Sequence, residues 1–543
     1  MPTFAVDNLI LGIMRNYLLL FASVSFLISC TQKEYLDWNR PVTAEEGFSH
    51  DSIVLGEKLA DPYSVENMTK ALASVSPSSA GRVSLEPTDF YVRFLPRDGS
   101  QMQQLTDLGL ELLDHPLDYR IVREGDWYHD PSVPEGEITW QYAVVPVSFE
   151  FPQGIRYERL DDCYLAEHDP ATKALDGIDW DEVEREAYRL TGNGGMLNPG
   201  TREGELFTRG NPQGRIAILD PAFDQEPIGV KGVKVCCNSF VKFATCYTDD
   251  EGYYRMSRSF SVDPRYRLVF QNVRGFSQGI NFILVPASVS TFGRQASTGY
   301  SVTLDSNSDR RLFTRCVVNN AGYDYIDASR KSSGAISAPP RDFRIWVLDM
   351  FGFDLPTMMH HGVVVETMAA LSTMPPEITM LIKIIQQDVL LGLSGEESYQ
   401  DVYRRALRVF AQAGHFNRTD KDWWWTYLQF VVKALVQSTL QDGFGSRGDT
   451  GYEYAEIANT YAFYCENALC RNRYPGFTDF DGTTSWFFPQ ILMYLDDRGL
   501  GLDKLSPMFT SDVTDMETLR SKLLSYYPQF KTVINEAYAR YSD

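Results

Sequence analysis

The sequence predicts a multidomain α+β protein with a small N-terminal α/β module, a central β-sandwich and a C-terminal, mainly helical domain. Three observations carry that expectation. The chain has 543 residues, more than one hydrophobic core organises, which suggests about 3 to 4 domains. Apolar and polar residues alternate at period two within 85–165 and 213–290, the mark of half-buried strands. From about residue 346 the apolar spacing changes to three and four, the period of an amphipathic helix. With 44% hydrophobic and 22% charged residues the composition is globular, and 30 Tyr, 32 Phe and 9 Trp supply abundant aromatic packing material.

The first element is an export signal. Met14-Arg15-Asn16 is a short basic start, and Tyr17 to Ile28 is an apolar run too short to span a bilayer as a helix. Met14 begins a better signal than Met1, so residues 1–13 read as an upstream start. The run ends in Leu27-Ile28-Ser29-Cys30, which matches the lipobox of bacterial lipoproteins. That match implies cleavage within 1–30, lipidation of Cys30 and a membrane as the first partner. Thr31-Gln32-Lys33-Glu34 resembles the signal that sends lipoproteins of the Bacteroidetes to the outer face of the outer membrane. Several acyl chains on one cysteine bury enough methylenes for stable anchoring.

Residues 31–84 are polar and Ser-rich, with two short helical hints, and are expected to form a stalk. In the α/β module, 85–165, Phe90, Val92 and Phe94 fall on one face of a strand from Asp89 to Leu95. Pro96-Arg97-Asp98-Gly99 makes a turn, Leu105, Leu108 and Leu112 mark a helix, and a second strand is expected from Trp140 to Phe151. A connector, 166–212, holds a short helix capped by Asp179. Strands follow over 213–290, and then a Ser/Gly/Asn-rich segment over roughly 286–345. The C-terminal part, 346–543, shows three long helices. One from Glu396 to Phe416 buries Tyr399, Val402, Ala406, Val409, Phe410 and Ala413, and the next starts at an Asp420 cap and buries Trp424, Tyr427 and Leu428. The third, Tyr452 to Ala468, shows Tyr454, Ile457, Ala458, Tyr461 and Cys465. The tail from Asp515 to Tyr541 repeats the pattern.

Charge and cysteine usage exclude some functions. The net charge is −22, and no stretch concentrates Lys and Arg as a phosphate backbone requires, so nucleic acid is not an expected partner. Eight cysteines without a C-x-x-C pair do not make a disulfide framework. Cys236 and Cys246 are candidates to face each other across a hairpin, and buried free thiols are expected otherwise.

Two resemblances add to this reading. Gly229 to Val235, the turn Thr248-Asp249-Asp250-Glu251-Gly252-Tyr253-Tyr254, and Tyr266 to Phe270 resemble the carboxypeptidase-regulatory-like β-sandwich, which implies a structural spacer over 213–290. The helix Arg408-Val409-Phe410-Ala411-Gln412-Ala413-Gly414-His415-Phe416 resembles a degenerate form of the His-Glu-x-Ala-His-Ala-x-His-Phe helix of a Bacteroidetes zinc-metallopeptidase lipoprotein family of the gluzincin type. Trp423-Trp424-Trp425, Ala455-Glu456-Ile457 and Trp486-Phe487-Phe488-Pro489-Gln490 match its neighbourhood, and the similarity covers most of 346–543 together with Pro87 to Tyr119.

The resemblance implies a zincin-like helical domain in which Arg408 stands for the first ligand, Val409 for the catalytic Glu and Gln412 for the second ligand. Glu456 would be a surviving third ligand and His415 a possible cleft residue. Two His one helical turn apart are needed because side chains at i and i+4 share a face. A permanent cation at Arg408 repels a dication, and Val409 cannot take a proton from water. No cofactor, no metal and no catalytic residue is therefore expected, and the chain reads as a pseudoenzyme. An ion pair between Arg408 and Glu456 would fill the vacated position.

Three functions remain open. One is an inactive metallopeptidase-like lipoprotein that binds a peptide, protein or glycan in its cleft. The second is a structural or adhesive lipoprotein without such a cleft, and the third is a hydrolase with an unrecognised site. His360-His361 reads as a core or cap feature, since adjacent side chains diverge in regular structure.

Overall fold

The computed structural model describes residues 52–77, 84–134, 137–170, 172, 177–197, 211–220, 226–279, 289–305, 308–348, 354–363, 387–393, 398–441, 448–474 and 487–541. The export signal, Cys30 and the first part of the expected stalk, to residue 51, lie outside them. The fold is mixed α+β, with eleven α-helices among the described residues. It divides into two compact units, one ending at Asn319 and one beginning at Asn320.

The first unit starts where a stalk was expected. Strand β1 (Val54–Lys58) pairs antiparallel with β3 (Tyr119–Arg123). Helix α1 (Val65–Val75) is capped by Ser64, whose Oγ accepts from the Asn67 amide at 3.3 Å. Its face of Met68, Ala71 and Leu72 is buried with Tyr164, Val183 and Ala187. The stalk expectation over 31–84 is thus corrected for residues 53–75. Their polar appearance comes from the outer face of an amphipathic helix, while the inner face is core. The partner helix α3 (Trp180–Leu190) lies in the expected connector and is capped by Asp179, as its sequence predicts.

Strand β2 (Asp89–Leu95) runs between β4 (Gln141–Pro146) and β5 (Arg156–Cys163), and α2 (Gly99–Asp107) follows an Asp98 cap. Val92, Phe94, Leu105, Ala143, Val145 and Ile155 form their core. The expected strand to Phe151 stops at Pro146. The edge strand β5 escapes prediction because Arg-Tyr-Glu-Arg-Leu-Asp-Asp carries the charges with which exposed edges are protected.

Residues 213–304 form two groups of strands. Strand β6 (Gln213–Ile218) lies between β10 (Tyr253–Arg255) and β14 (Val302–Leu304), with β7 (Ile228–Gly229) also on β6. In the other group β12 (Phe276–Gly279), β11 (Arg265–Asn272), β8 (Val233–Ser239) and β9 (Lys242–Tyr247) lie side by side, and β13 (Val289–Arg294) also pairs with β11. The turn expected at Thr248–Tyr254 is built by Asp249, whose Oδ1 accepts from the amides of Glu251 and Tyr253, both at 2.9 Å. Gly252 has φ +80°, and a Cβ there would lie 2.2 Å from the Ile216 carbonyl oxygen, so glycine is required. The β-rich region extends past the expected limit at 290, since β13 and β14 complete both groups. Cys236 faces Thr245 and Cys246 faces Val235, one register step apart, and all seven described cysteines are free thiols.

Helix α4 (Arg310–Lys331) lies within the Ser/Gly/Asn-rich segment, for which the sequence indicated no element. In the second unit β15 (Phe343–Leu348) runs parallel to β17 (Val389–Gly392), which also pairs with β16 (Asp354–Leu355). Seven helices follow: α5 (Tyr399–Phe416), α6 (Lys421–Gln441), α7 (Tyr452–Arg473), α8 (Pro489–Asp496), α9 (Leu502–Leu505), α10 (Met516–Tyr526) and α11 (Lys531–Tyr541). Ser398 and Asp401 form a capping box at the start of α5. The tail is two helices because Pro528 interrupts it. No helix among the described residues is long and apolar enough to cross a membrane.

Candidate functional site

Helix α5 carries four of the residues singled out by sequence. Its apolar stripe turns Val402, Ala406, Val409, Phe410 and Ala413 inward, and it packs against α7. The two helices run antiparallel, since Arg408 meets Glu466 while His415 meets Tyr461, whose ring centroid lies 5.4 Å away. Gly414 sits where a Cβ would lie 2.3 Å from the Ser337 carbonyl oxygen, so only glycine lets this face approach so closely.

Of the arginines on α5, Arg405 and Arg408 are largely buried and Arg404 is partly exposed. Arg408 donates to Asp354 Oδ2 from Nη2 at 2.7 Å and from Nε at 3.1 Å, and to Glu466 Oε2 at 3.3 Å. Arg405 reaches Asp354 Oδ1 at 3.0 Å, and Arg404 reaches Glu466 Oε1 at 2.8 Å. Asp354 and Glu466 side chains are 5% and 1% exposed, so these are buried ion pairs in which each carboxylate is shared by two guanidinium groups. The Arg408 guanidinium also lies 4.4 Å from the Phe463 ring centroid. Burial opposes its charge, but Asp354 and Glu466 outweigh that and hold it protonated above its ordinary range.

The expected Arg408–Glu456 pair is therefore corrected, because the carboxylate that Arg408 takes on α7 is Glu466. Ten residues separate Glu456 from Glu466, which is roughly 15 Å along the axis and about 80° around it. Glu456 is itself buried, and its charge bears on Tyr538. Arg408, Val409, Gln412 and Glu456 thus do not converge as a ligand set. Val409 is fully buried and Gln412 is 4% exposed. Sequence reasoning missed Asp354 and Glu466, and the only signal was the unusual density of arginine on an inward face.

At the other end of α5, His415 is 1% exposed and sits in a core of Trp423, Trp424, Tyr461 and Phe509, with ring centroids 4.6, 5.8, 5.4 and 5.9 Å away. It is a core residue and the cleft assignment is corrected. Neither of its ring nitrogens, nor Gln412 Oε1, has a hydrogen-bond partner among the described residues. Burial, aided by the Arg418 charge, pushes the imidazole down to about 3, so it is neutral.

Three other histidines make Asp–His contacts. His115 Nδ1 lies 3.0 Å from Asp114 and its Nε2 2.9 Å from Arg265. His168 lies between Asp89 and Arg258. His361 Nδ1 lies 2.9 Å from Asp388 and its Nε2 2.8 Å from the Arg341 carbonyl oxygen. In each pair the second nitrogen is taken by an arginine or a backbone carbonyl, so it is not available to activate a hydroxyl or thiol. Burial lifts every described thiol except Cys163 and Cys246 to about 12 or higher, Cys163 well above the usual range, and Cys246 to about 11. No thiolate nucleophile is prepared there. Among the described residues no group of three His, Cys, Asp or Glu is placed to hold a metal ion. No family model matches the chain, and neither the curated proteins nor the solved structures contain a match to it.

Proposed function

We propose that the chain is a non-catalytic lipoprotein, anchored through Cys30 at the outer membrane and facing the exterior, that meets a peptide, protein or glycan through its outer surfaces. The observation that carries this reading is the state of Arg408. A guanidinium shared between two buried carboxylates is a structural cation, and removing it would leave each of those carboxylates with one arginine where there had been two. The positions that a gluzincin would use for ligation and general base are packed into the interface of α5 with its neighbours. They support the relation to a metallopeptidase helix only as a degenerate one, and they favour a surface-acting protein over one that binds in an inherited cleft.

A surface suited to a partner lies on the first unit. Tyr157, on the edge strand β5, is 45% exposed and stacks on Phe151 at 4.0 Å with 12° between the planes. Leu160, three residues on in the same strand, is also exposed, as is Val147 just after β4. Exposed aromatic faces suit the apolar face of a sugar ring or a peptide side chain. Metal analysis of the purified chain, together with peptide hydrolysis, tests the non-catalytic part. The expected result is zinc well below one per chain and no hydrolysis that depends on Glu456. Stoichiometric zinc that disappears in Glu456→Gln would overturn the proposal.

A further inference from the structure

The segment Leu59 to Ser64, between β1 and α1, holds a buried acid that neither the ion-pair core nor the surface reading uses. Asp61 is 7% exposed. Its Oδ1 accepts from the Tyr63 amide at 2.9 Å, and its Oδ2 is buried without a hydrogen-bond partner among the described residues. The groups that face it are unfavourable to a second negative charge. Asp161 on β5 and Asp118 before β3 bear on it as like charges, while Tyr91, Cys163 and Tyr188 face it from β2, β5 and α3 as uncharged walls. The nearby cation is Lys58, which lies 3.2 Å from Asp118 and is 66% exposed, so little of its charge is free for Asp61.

The same segment fastens α1 to the rest of the unit. The Leu59 amide donates to the Asp118 carbonyl at 2.7 Å, Asn193 Nδ2 to the Ala60 carbonyl at 2.8 Å, and the Tyr164 amide to the Tyr63 carbonyl at 2.8 Å. The Tyr63 hydroxyl donates to Glu184 Oε1 at 3.0 Å. We propose that residues 59–64 and α1 form a proton-dependent latch, which Asp61 holds shut while it carries a proton and loosens as it ionises. The open form would uncover the apolar strip that α1 makes with α3, namely Met68 and Leu72 against Val183 and Ala187.

Burial first, and then the charges of Asp161 and Asp118, push the Asp61 carboxyl up to about 7 in the closed form. In an open form it returns to the ordinary carboxylate range near 4. The closed form therefore holds a proton that the open form has lost between about pH 4 and 7. Opening grows by up to about tenfold per pH unit across that interval and levels off above it.

Hydrogen exchange of the full chain between pH 5 and 8.5, corrected for the intrinsic pH dependence of amide exchange, tests the latch. The expected result is protection of amides in 59–75 that falls with rising pH to a plateau above 7, while amides of β2 and β4 hold level. In Asp61→Asn the protection should be independent of pH. In Asp161→Asn, which removes one like charge, the plateau should be reached at a lower pH. Protection in the unmodified chain that does not change with pH, or the same fall in Asp61→Asn, would overturn the proposal. Should Asp61→Asn fail to fold, an unmoved profile in Asp161→Asn would do so as well.

Discussion

The two halves of helix α5 carry polar side chains inward and treat them oppositely. At the N-terminal half, Arg404, Arg405 and Arg408 meet carboxylates brought from β16 and α7, and each of those carboxylates serves two guanidinium groups. At the C-terminal half, His415 enters an aromatic core, and neither its ring nitrogens nor Gln412 Oε1 has a partner among the described residues, although the Trp423 and Trp424 indoles find carbonyl acceptors at 3.0 Å. The amphipathic stripe sets how deep a side chain goes, but distant segments set whether it is satisfied. Buried charge without partners costs far more than a buried neutral group, and on α5 the guanidinium groups meet carboxylates while Gln412 Oε1 and the neutral His415 ring have no partner among the described residues.

Acid should break the unpaired half first. The folded chain keeps His415 neutral down to about pH 3, whereas the unfolded chain protonates it near pH 6.5. Between those values the unfolded state binds the extra proton, so the stability contributed by the neutral form is complete above pH 6.5 and is lost as the pH falls. The loss approaches roughly 5 kcal/mol near pH 3. In His415→Phe, denaturant unfolding followed from pH 7 to 4 should show a shallower decline than in the unmodified chain. Equal slopes would mean that the buried imidazole does not govern the acid limb.

The paired half should fail by substitution instead. Asp354→Asn removes the carboxylate that Arg405 and Arg408 share and leaves Arg408 with Glu466. The expected loss is about 3 to 5 kcal/mol, read as a lower denaturation midpoint with an unchanged slope. Replacing Asp354 and Arg408 together should cost less than the sum of the two single changes, since the second removes the charge stranded by the first. Additive losses would show that the network is no more than independent surface-like pairs.

Much of the second unit was legible because its helices are long, regular and capped. The Asp420 cap, the start of the helix at Tyr452 and the stripe of α5 follow from residue spacing alone. The site was not legible, for a reason that lies in particular residues. Arg408 was given the carboxylate that fitted a motif, Glu456, but helix packing delivered Glu466, and β16 delivered Asp354 from more than fifty positions earlier in the chain. No local period encodes such a pairing. Helix α4 was overlooked for a related reason. Its buried face includes Arg315, Asn319 and Asn320, which dilute the apolar signal. Asn319 nonetheless accepts from Asn272 at 2.8 Å and donates to the Lys231 carbonyl at 2.9 Å, so its burial is compensated by groups far away in sequence. The expected stalk gave way to structure at 53–75 because the short helix there interleaves its apolar residues with Glu66, Asn67, Thr69, Lys70 and Ser74, so its buried face is only about three turns long.

The smallest effect sharpens the comparison most. Gln412 is buried with an acceptor that no described residue satisfies, and an orphan polar atom of this kind costs about 1 to 3 kcal/mol. Leucine matches its bulk closely and needs no hydrogen bond. Gln412→Leu should therefore leave stability unchanged or raise it by about 1 kcal/mol, measured by denaturant unfolding at pH 7, where His415 is neutral. A loss of more than about 1 kcal/mol would mean that the amide is satisfied after all, for example by an internal water shared with His415. The two halves of α5 would then obey one rule, in which every buried polar group is matched and the matching group is solvent at one end and carboxylate at the other.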